Sequence, residues 1–196
     1  MRANVERVRE QIGDKVEICA AIKYVAADDL PALAEAGIIL VGENRAQDLA
    51  VKQDAYRSLF EWDFIGALQS RKVKQVASRV RLIHTVGSES ALAQLDKHPA
   101  REVLIQVNVA EEEGKAGIAP REVRDYIARC PVPVTGLMTM PPLAARPEDS
   151  RPHFVRLAAL ASEYGLARLS MGTTQDYEVA VQEGATIVRL GSVLYD

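Results

Sequence analysis

The chain has 196 residues, 48% hydrophobic and 26% charged, with a formal net charge of −3. That is enough apolar chain for one sizeable core, and no basic block or interleaved aromatics point to nucleic acid. No uninterrupted apolar run approaches the roughly 20 residues that span a bilayer.

In chain order, the charged opening MRANVERVREQIGDKVEI has the pattern of an amphipathic helix over 3–12, not of a signal peptide. EICAAIKYV (17–25) reads as the first strand, and Asp28 or Asp29 can cap a helix carrying Leu30, Leu33 and Ala34 that stops at Gly37. IILVGE (38–43) follows, then a helix with Ala46, Leu49, Ala50 and Leu59 on one face. WDFIGAL (62–68) and RLIHTV (81–86) are the next strands, and Ser88 can start a helix bearing Leu92 and Leu95. After EVLIQVNV (102–109), EEEGK (111–115) reads as a solvated loop, and Pro120 suits the first turn before Val123 and Ile127. VPVTGLMTM (132–140) leads into a long loop, PPLAARPEDSRP (141–152), whose Pro152 opens a helix with Phe154, Leu157 and Ala161. ARLSMG (167–172), a helix capped by Thr174 and ending at Gly184, and TIVRLG (186–191) complete the series.

Eight strands alternating with helices imply a parallel sheet with right-handed crossovers. The expected fold class is α/β: a single-domain (β/α)8 TIM barrel over residues 1–196, at the small end for that fold. A doubly wound open sheet is the alternative, but no GxGxxG follows the first strand. No standard eighth helix follows the last strand, and the N-terminal helix is available to cover that gap.

Alternation along the first strand puts Cys19, Ala21 and Lys23 on one face and Ile18, Ala20 and Ile22 on the other. The small set suits the barrel interior, so Lys23 is expected to point inward near the C-terminal end, where barrel active sites lie. The plainer reading is a lysine snorkelling from the mouth; the functional one is a desolvated amine able to form a Schiff base. In the last strand Ile187 and Arg189 share a face, and Arg189 can point inward beside Lys23. Two inward cations are costly without an anion between them. Gly191 and Ser192 after that strand, and SMGTT (170–174) ending the one before, suit a barrel phosphate site. An ion pair with an acidic loop residue is the plainer account of Arg189.

Other residues carry less. Met138, Met140 and Met171 read as packing, His84 as a hydrogen-bonded structural histidine, and His98 and His153 as exposed. Ser170 lacks a GxSxG elbow. Cys19 and Cys130 have no metal-ligand spacing and read as reduced thiols in a cytoplasmic protein.

The segments AAIKYV, VGENRAQDL, FIGALQSRKVK, IHTVGS, VLIQVNVAEEEGKAGI, GLMTMPP and LSMGTTQDYEVAVQEGATIVRLGS cover most of the chain in order. On these the chain resembles the pyridoxal-phosphate homeostasis protein family (YggS/PROSC), related to the N-terminal barrel of alanine racemase. The resemblance implies a fold-type III barrel that binds pyridoxal 5′-phosphate (PLP) as an internal aldimine on Lys23, with Arg189 facing the pyridine nitrogen. It puts Ser170, Gly172, Thr174, Gly191 and Ser192 in the segments around the phosphate, Asn44 near the ring and Lys115 in a nearby loop. It also implies a role in PLP homeostasis and in amino- and keto-acid balance, with apo PLP-dependent enzymes as possible recipients. Two departures stand out: Ile22 precedes the lysine where the family commonly has serine or threonine, and the end, LGSVLYD, lacks the usual polar tail.

Racemisation needs two positioned acid/base groups; Lys23 is one, and no second is evident. A non-catalytic PLP-binding protein is therefore expected, and a monomer, since no domain-sized surface is evidently reserved for a partner. A weak amino-acid racemase and a class-I aldolase-like enzyme using Lys23 are the alternatives.

Overall fold

The structure is a computed structural model and describes residues 1–195. Its eight parallel strands are β1 (Glu17–Ala21), β2 (Leu40–Glu43), β3 (Glu61–Phe64), β4 (Leu82–Val86), β5 (Val103–Gln106), β6 (Val134–Met138), β7 (Arg168–Thr173) and β8 (Ile187–Leu190). They pair in sequence order, and β1 closes on β8 through Glu17 opposite Ile187 and Cys19 opposite Arg189, so the sheet is a closed barrel. The open-sheet alternative is excluded. The helices are α1 (Arg2–Ile12), α2 (Leu30–Glu35), α3 (Ala46–Tyr56), α4 (Val73–Val76), α5 (Glu89–Lys97), α6 (Val123–Arg129), α7 (Arg151–Glu163), α8 (Tyr177–Gln182) and the single turn α9 (Ser192–Tyr195).

Two apolar layers follow from strand alternation. The outer one packs Ile18, Ala20, Val188 and Leu190 against helix residues such as Leu30, Leu49, Leu95 and Leu157. The inner one is Cys19, Leu40, Leu82, Leu104, Met138 and Ile187, with Ile65 against it. The inner residues include no large aromatic, and buried polar groups share their level: Asp63 stands opposite Leu82, and Ser170 opposite Met138 and Ile187. α1 packs against α8 and α9, with the Tyr177 hydroxyl donating to Gln11, so the N-terminal helix covers the short last element.

Helix signals hold where a side chain can act locally. Ser88 accepts from the Ala91 N–H at 3.2 Å and starts α5, and Gly37 takes φ 91° just after α2. Others are corrected. Asp29 makes no side-chain cap, because a 3-10 turn (Ala27–Asp29) leads directly into α2. Leu59 is exposed in a 3-10 turn after α3; the buried face of that helix is Ala46, Leu49, Lys52 and Gln53. Asp176, not Thr174, stands before α8, its carboxylate accepting from the Thr173 N–H at 2.8 Å.

Several strands end earlier than their apolar runs. β1 stops at Ala21, because Ile22 gives one last ladder bond to the Gly42 carbonyl and its own carbonyl is then taken by the Val25 N–H and by Lys52.

Candidate functional site

At the C-terminal ends of the strands lies a cavity of about 480 Å³, and Lys23, Asn44, Thr174, Arg189, Gly191 and Ser192 all line it. Ser170 and Gly172 do not. Ser170 lies beneath the lining, fully buried, and holds Arg189. Gly172 faces the helix layer, where an added Cβ would come within 2.6 Å of the Ala180 Cβ; its φ of 91° accompanies a register shift in β7 between Ser170 and Thr173. That irregularity lets Thr173 join the lining.

Lys23 departs from the inward strand position expected of it. Once β1 has ended, the residue sits in a tight turn, solvent-exposed, with its Nζ 4.5 Å from the Tyr24 ring centroid. The turn is tied down on both preceding carbonyls: Lys52 Nζ donates to Ile22 O at 2.6 Å and the Tyr195 hydroxyl to Ala21 O at 3.0 Å.

Arg189 does point inward, as alternation requires. It is 5% exposed, and burial lowers its pKa to about 10. Nη1 donates to Ser170 Oγ at 2.7 Å, and Nη2 to Thr139 O at 2.9 Å and to Met140 Sδ. No carboxylate pairs with it among the described residues, so the acidic loop partner considered from sequence is not found.

Beneath Arg189 a chain of hydrogen bonds crosses the barrel. Ser170 Oγ is 2.8 Å from His84 Nδ1, and His84 Nε2 is 3.0 Å from Asp63 Oδ2. The carboxylate only accepts, which fixes the imidazole proton on Nε2 and leaves Nδ1 to accept from the serine hydroxyl. Burial pushes the His84 pKa down and keeps the ring neutral, against the pull of Asp63. Burial would raise the Asp63 pKa, but hydrogen bonds from His84 and Arg81 outweigh it and hold the carboxyl low. Arg81 closes the floor, bridging Asp63 at 2.9 Å and Glu17 at 2.7 Å.

Just beyond β2, beside β1, Asn44 Oδ1 is buried without a partner among the described residues. Gly66 packs so closely there that a Cβ would fall 2.0 Å from Asn44 O. Thr174 Oγ1 accepts from the Gly191 N–H at 3.2 Å and joins the β7 and β8 loops. Lys115 lies off this cavity; it lines an adjoining one of about 540 Å³ and pairs with Glu112 at 3.7 Å. Among the described residues no group of His, Cys, Asp and Glu could hold a metal, and no helix is long and apolar enough to cross a membrane.

Sequence reading missed Glu43, Lys52 and Asp63, all buried. A signal existed for Lys52, which falls on the apolar face of α3 three residues after Leu49. Asp63 left a weaker one: a lone carboxylate within the apolar run WDFI.

The whole chain, residues 1–196, matches the family model described as "Alanine racemase, N-terminal domain". The pyridoxal phosphate homeostasis protein of Aquifex aeolicus (strain VF5) is 38% identical over 211 residues, covering 97% of this chain and 92% of that protein. PipY of Synechococcus elongatus PCC7942, solved without PLP, superposes with a TM-score of 0.91 at 27% identity, covering 100% of this chain and 99% of that one. With PLP bound, PipY superposes with a TM-score of 0.87 over the same shares of the two chains. With its closed barrel, its inward arginine and the lysine at its mouth, this chain belongs to the pyridoxal phosphate homeostasis proteins, a family with the alanine racemase N-terminal fold.

Proposed function

We propose that this chain binds PLP at the barrel mouth, attaches it through Lys23, and serves PLP homeostasis by holding and releasing the cofactor without turnover. The observation that carries the reading is the buried Arg189 guanidinium, unpaired with any carboxylate among the described residues, at a cavity that Lys23 also lines. Two cations at one opening call for an anion. The name of the Aquifex relative and the PLP bound in PipY support the same reading.

The residues fit such a ligand. Among the described residues nothing accepts from the Arg189 Nε–H or from one Nη1–H, so the guanidinium can donate to a ring nitrogen. Asn44 carries an unpartnered buried Oδ1. No described atom stands within 4 Å of where a Gly191 Cβ would be, and Thr174 and Ser192 line the same cavity. These three suit the phosphate. Ser170 contributes by holding Arg189, and Gly172 by shaping β7.

PLP supplies an aldehyde that bonds to a primary amine and a ring that draws electrons from the attached carbon. Lys23 provides the amine. Arg189, a donor that is not an acceptor, keeps a proton off the ring nitrogen and so weakens that electron demand. Among the described lining residues, Lys23 and Arg189 are the only basic side chains, and the Lys23 amine is the one that can serve as an acid/base group at a substrate carbon. Exchange on both faces of that carbon needs a second such group. We further read residues 1–196 as one PLP-binding domain, acting as a cytoplasmic monomer, with apo PLP-dependent enzymes as recipients.

The test is the visible spectrum and intact mass of the wild type and Lys23→Ala with PLP, before and after borohydride. A yellow wild type that gains the reduced cofactor's mass at Lys23, with no such gain in the variant, supports the reading. A colourless wild type without the added mass overturns it. Conversion of L-alanine to its mirror form, lost in Lys23→Ala, would overturn the absence of turnover.

A further inference from the structure

The turn bearing Lys23 and the loop bearing Asn44 are joined through one buried ion pair. Lys52, 7% exposed on α3, places its Nζ 2.7 Å from Glu43 Oε2. The same Nζ donates to Ile22 O at 2.6 Å, the carbonyl of the residue before Lys23. Glu43, fully buried, uses Oε1 to accept from the N–H groups of Asn44 at 2.6 Å and Arg45 at 3.2 Å. One ammonium and one carboxylate thus fix the backbone just beyond two neighbouring strands, β1 and β2. A side chain leaves its Cα in a direction fixed by the flanking backbone atoms, and φ and ψ decide which rotamers it can take. Fixing the Ile22 carbonyl therefore fixes the peptide plane from which Lys23 departs.

We infer that Lys52 is a positioning residue for Lys23: bridged to Glu43, it holds the peptide before Lys23 and so fixes the turn from which that side chain borders the cavity. The inference rests on the reading of Lys23 as the attachment residue. A buried pair used only for stability would be replaceable by apolar or neutral groups of similar volume at little cost. Here the ammonium also donates to the Ile22 carbonyl, which otherwise keeps only the Val25 N–H, and no apolar stem can do that.

Two variants separate positioning from stability. Lys52→Met keeps the stem and strands the Glu43 charge, so it is expected to lower the melting temperature. Lys52→Met with Glu43→Gln removes that charge, while the amide oxygen still accepts from the Asn44 N–H, and stability is expected to recover. Deuterium uptake over residues 20–26, measured without cofactor, should quicken in both variants. Tagging of Lys23 by PLP and cyanoborohydride, read by peptide mass against exposed Lys97 as internal reference, should slow roughly tenfold or more in both. A double variant with recovered stability that tags Lys23 at the wild-type rate overturns the inference, as does unchanged deuterium uptake. In the wild type, tagging of Lys23 no faster than Lys97 would overturn the attachment reading itself. The wild-type ratio tests that reading, and the variant-to-wild-type ratio tests the positioning.

Discussion

Ser170 links Arg189 to His84: its Oγ lies 2.7 Å from Arg189 Nη1 and 2.8 Å from His84 Nδ1. A single hydroxyl thereby satisfies a buried guanidinium and a buried imidazole. Ser170→Ala strands both, and each unsatisfied buried group costs about 1–3 kcal/mol. Because Arg189 borders the cavity and can recover a water, the expected loss is about 1–2 kcal/mol in urea unfolding, with the slope unchanged. A loss near zero would mean that the chain from Arg189 to Asp63 is not formed.

The neutral His84 makes stability depend on pH in a defined direction. Its folded pKa lies below the ordinary 6.5 because of burial. As pH falls below that value, the unfolded chain gains a proton that the folded chain refuses, so stability falls. Asp63 acts further down: its carboxyl is held below the ordinary 3.8, so its contribution is lost only as pH drops through that lowered value. Melting curves from pH 7.5 to 5 should fall more steeply for the wild type than for His84→Gln. Parallel curves would show that folding leaves the His84 pKa unshifted, and a shallower fall of the wild type that the folded ring keeps its proton.

Two glycines at the mouth should respond oppositely to the same methyl. At Gly66 an added Cβ meets backbone, Asn44 O at 2.0 Å, so Gly66→Ala should cost about 1–3 kcal/mol or more. At Gly191 a Cβ meets nothing within 4 Å, so Gly191→Ala should leave unfolding within about 0.5 kcal/mol of the wild type. If the phosphate lies there, PLP affinity falls in that variant all the same. Denaturant unfolding with PLP titration reads both effects.

The cysteines differ in access. Cys19 is fully buried in the inner layer, and burial pushes its thiol pKa well up, with Asp63 adding to it. Cys130 is half-buried, and burial raises its thiol less completely. A thiol reagent should modify Cys130 slowly in the native protein and Cys19 only on unfolding, by peptide mass mapping. Native-state modification of Cys19 would mean that the inner layer opens.

The barrel was legible because each strand writes itself as a short apolar run, and because Cys19 and Ile187 alternate with outward Ile18 and Val188. The inward Arg189 followed from that same alternation. Lys23 did not, because periodicity says nothing of where a ladder ends. There the Ile22 carbonyl turns to the Val25 N–H and to Lys52, thirty residues on in the chain. Likewise the roles of Asp63, His84 and Ser170 depend on three strands meeting across an interior, a proximity that no local pattern records. Thr174 looked like a helix cap because of its residue type, but the register shift in β7 sends its hydroxyl to Gly191 instead.

The pairing of β1 with β8 also governs how the chain reaches its fold. Glu17 finds its partner Ile187 only across nearly the whole sequence, so the last seam carries the largest loop-closure entropy. During synthesis β1 waits with one edge unpaired until β8 has emerged, and the inner layer around Cys19 stays wet until then. A ring sealed by its first and last staves forms late, and the partly assembled arc is the species most exposed to strand-edge aggregation.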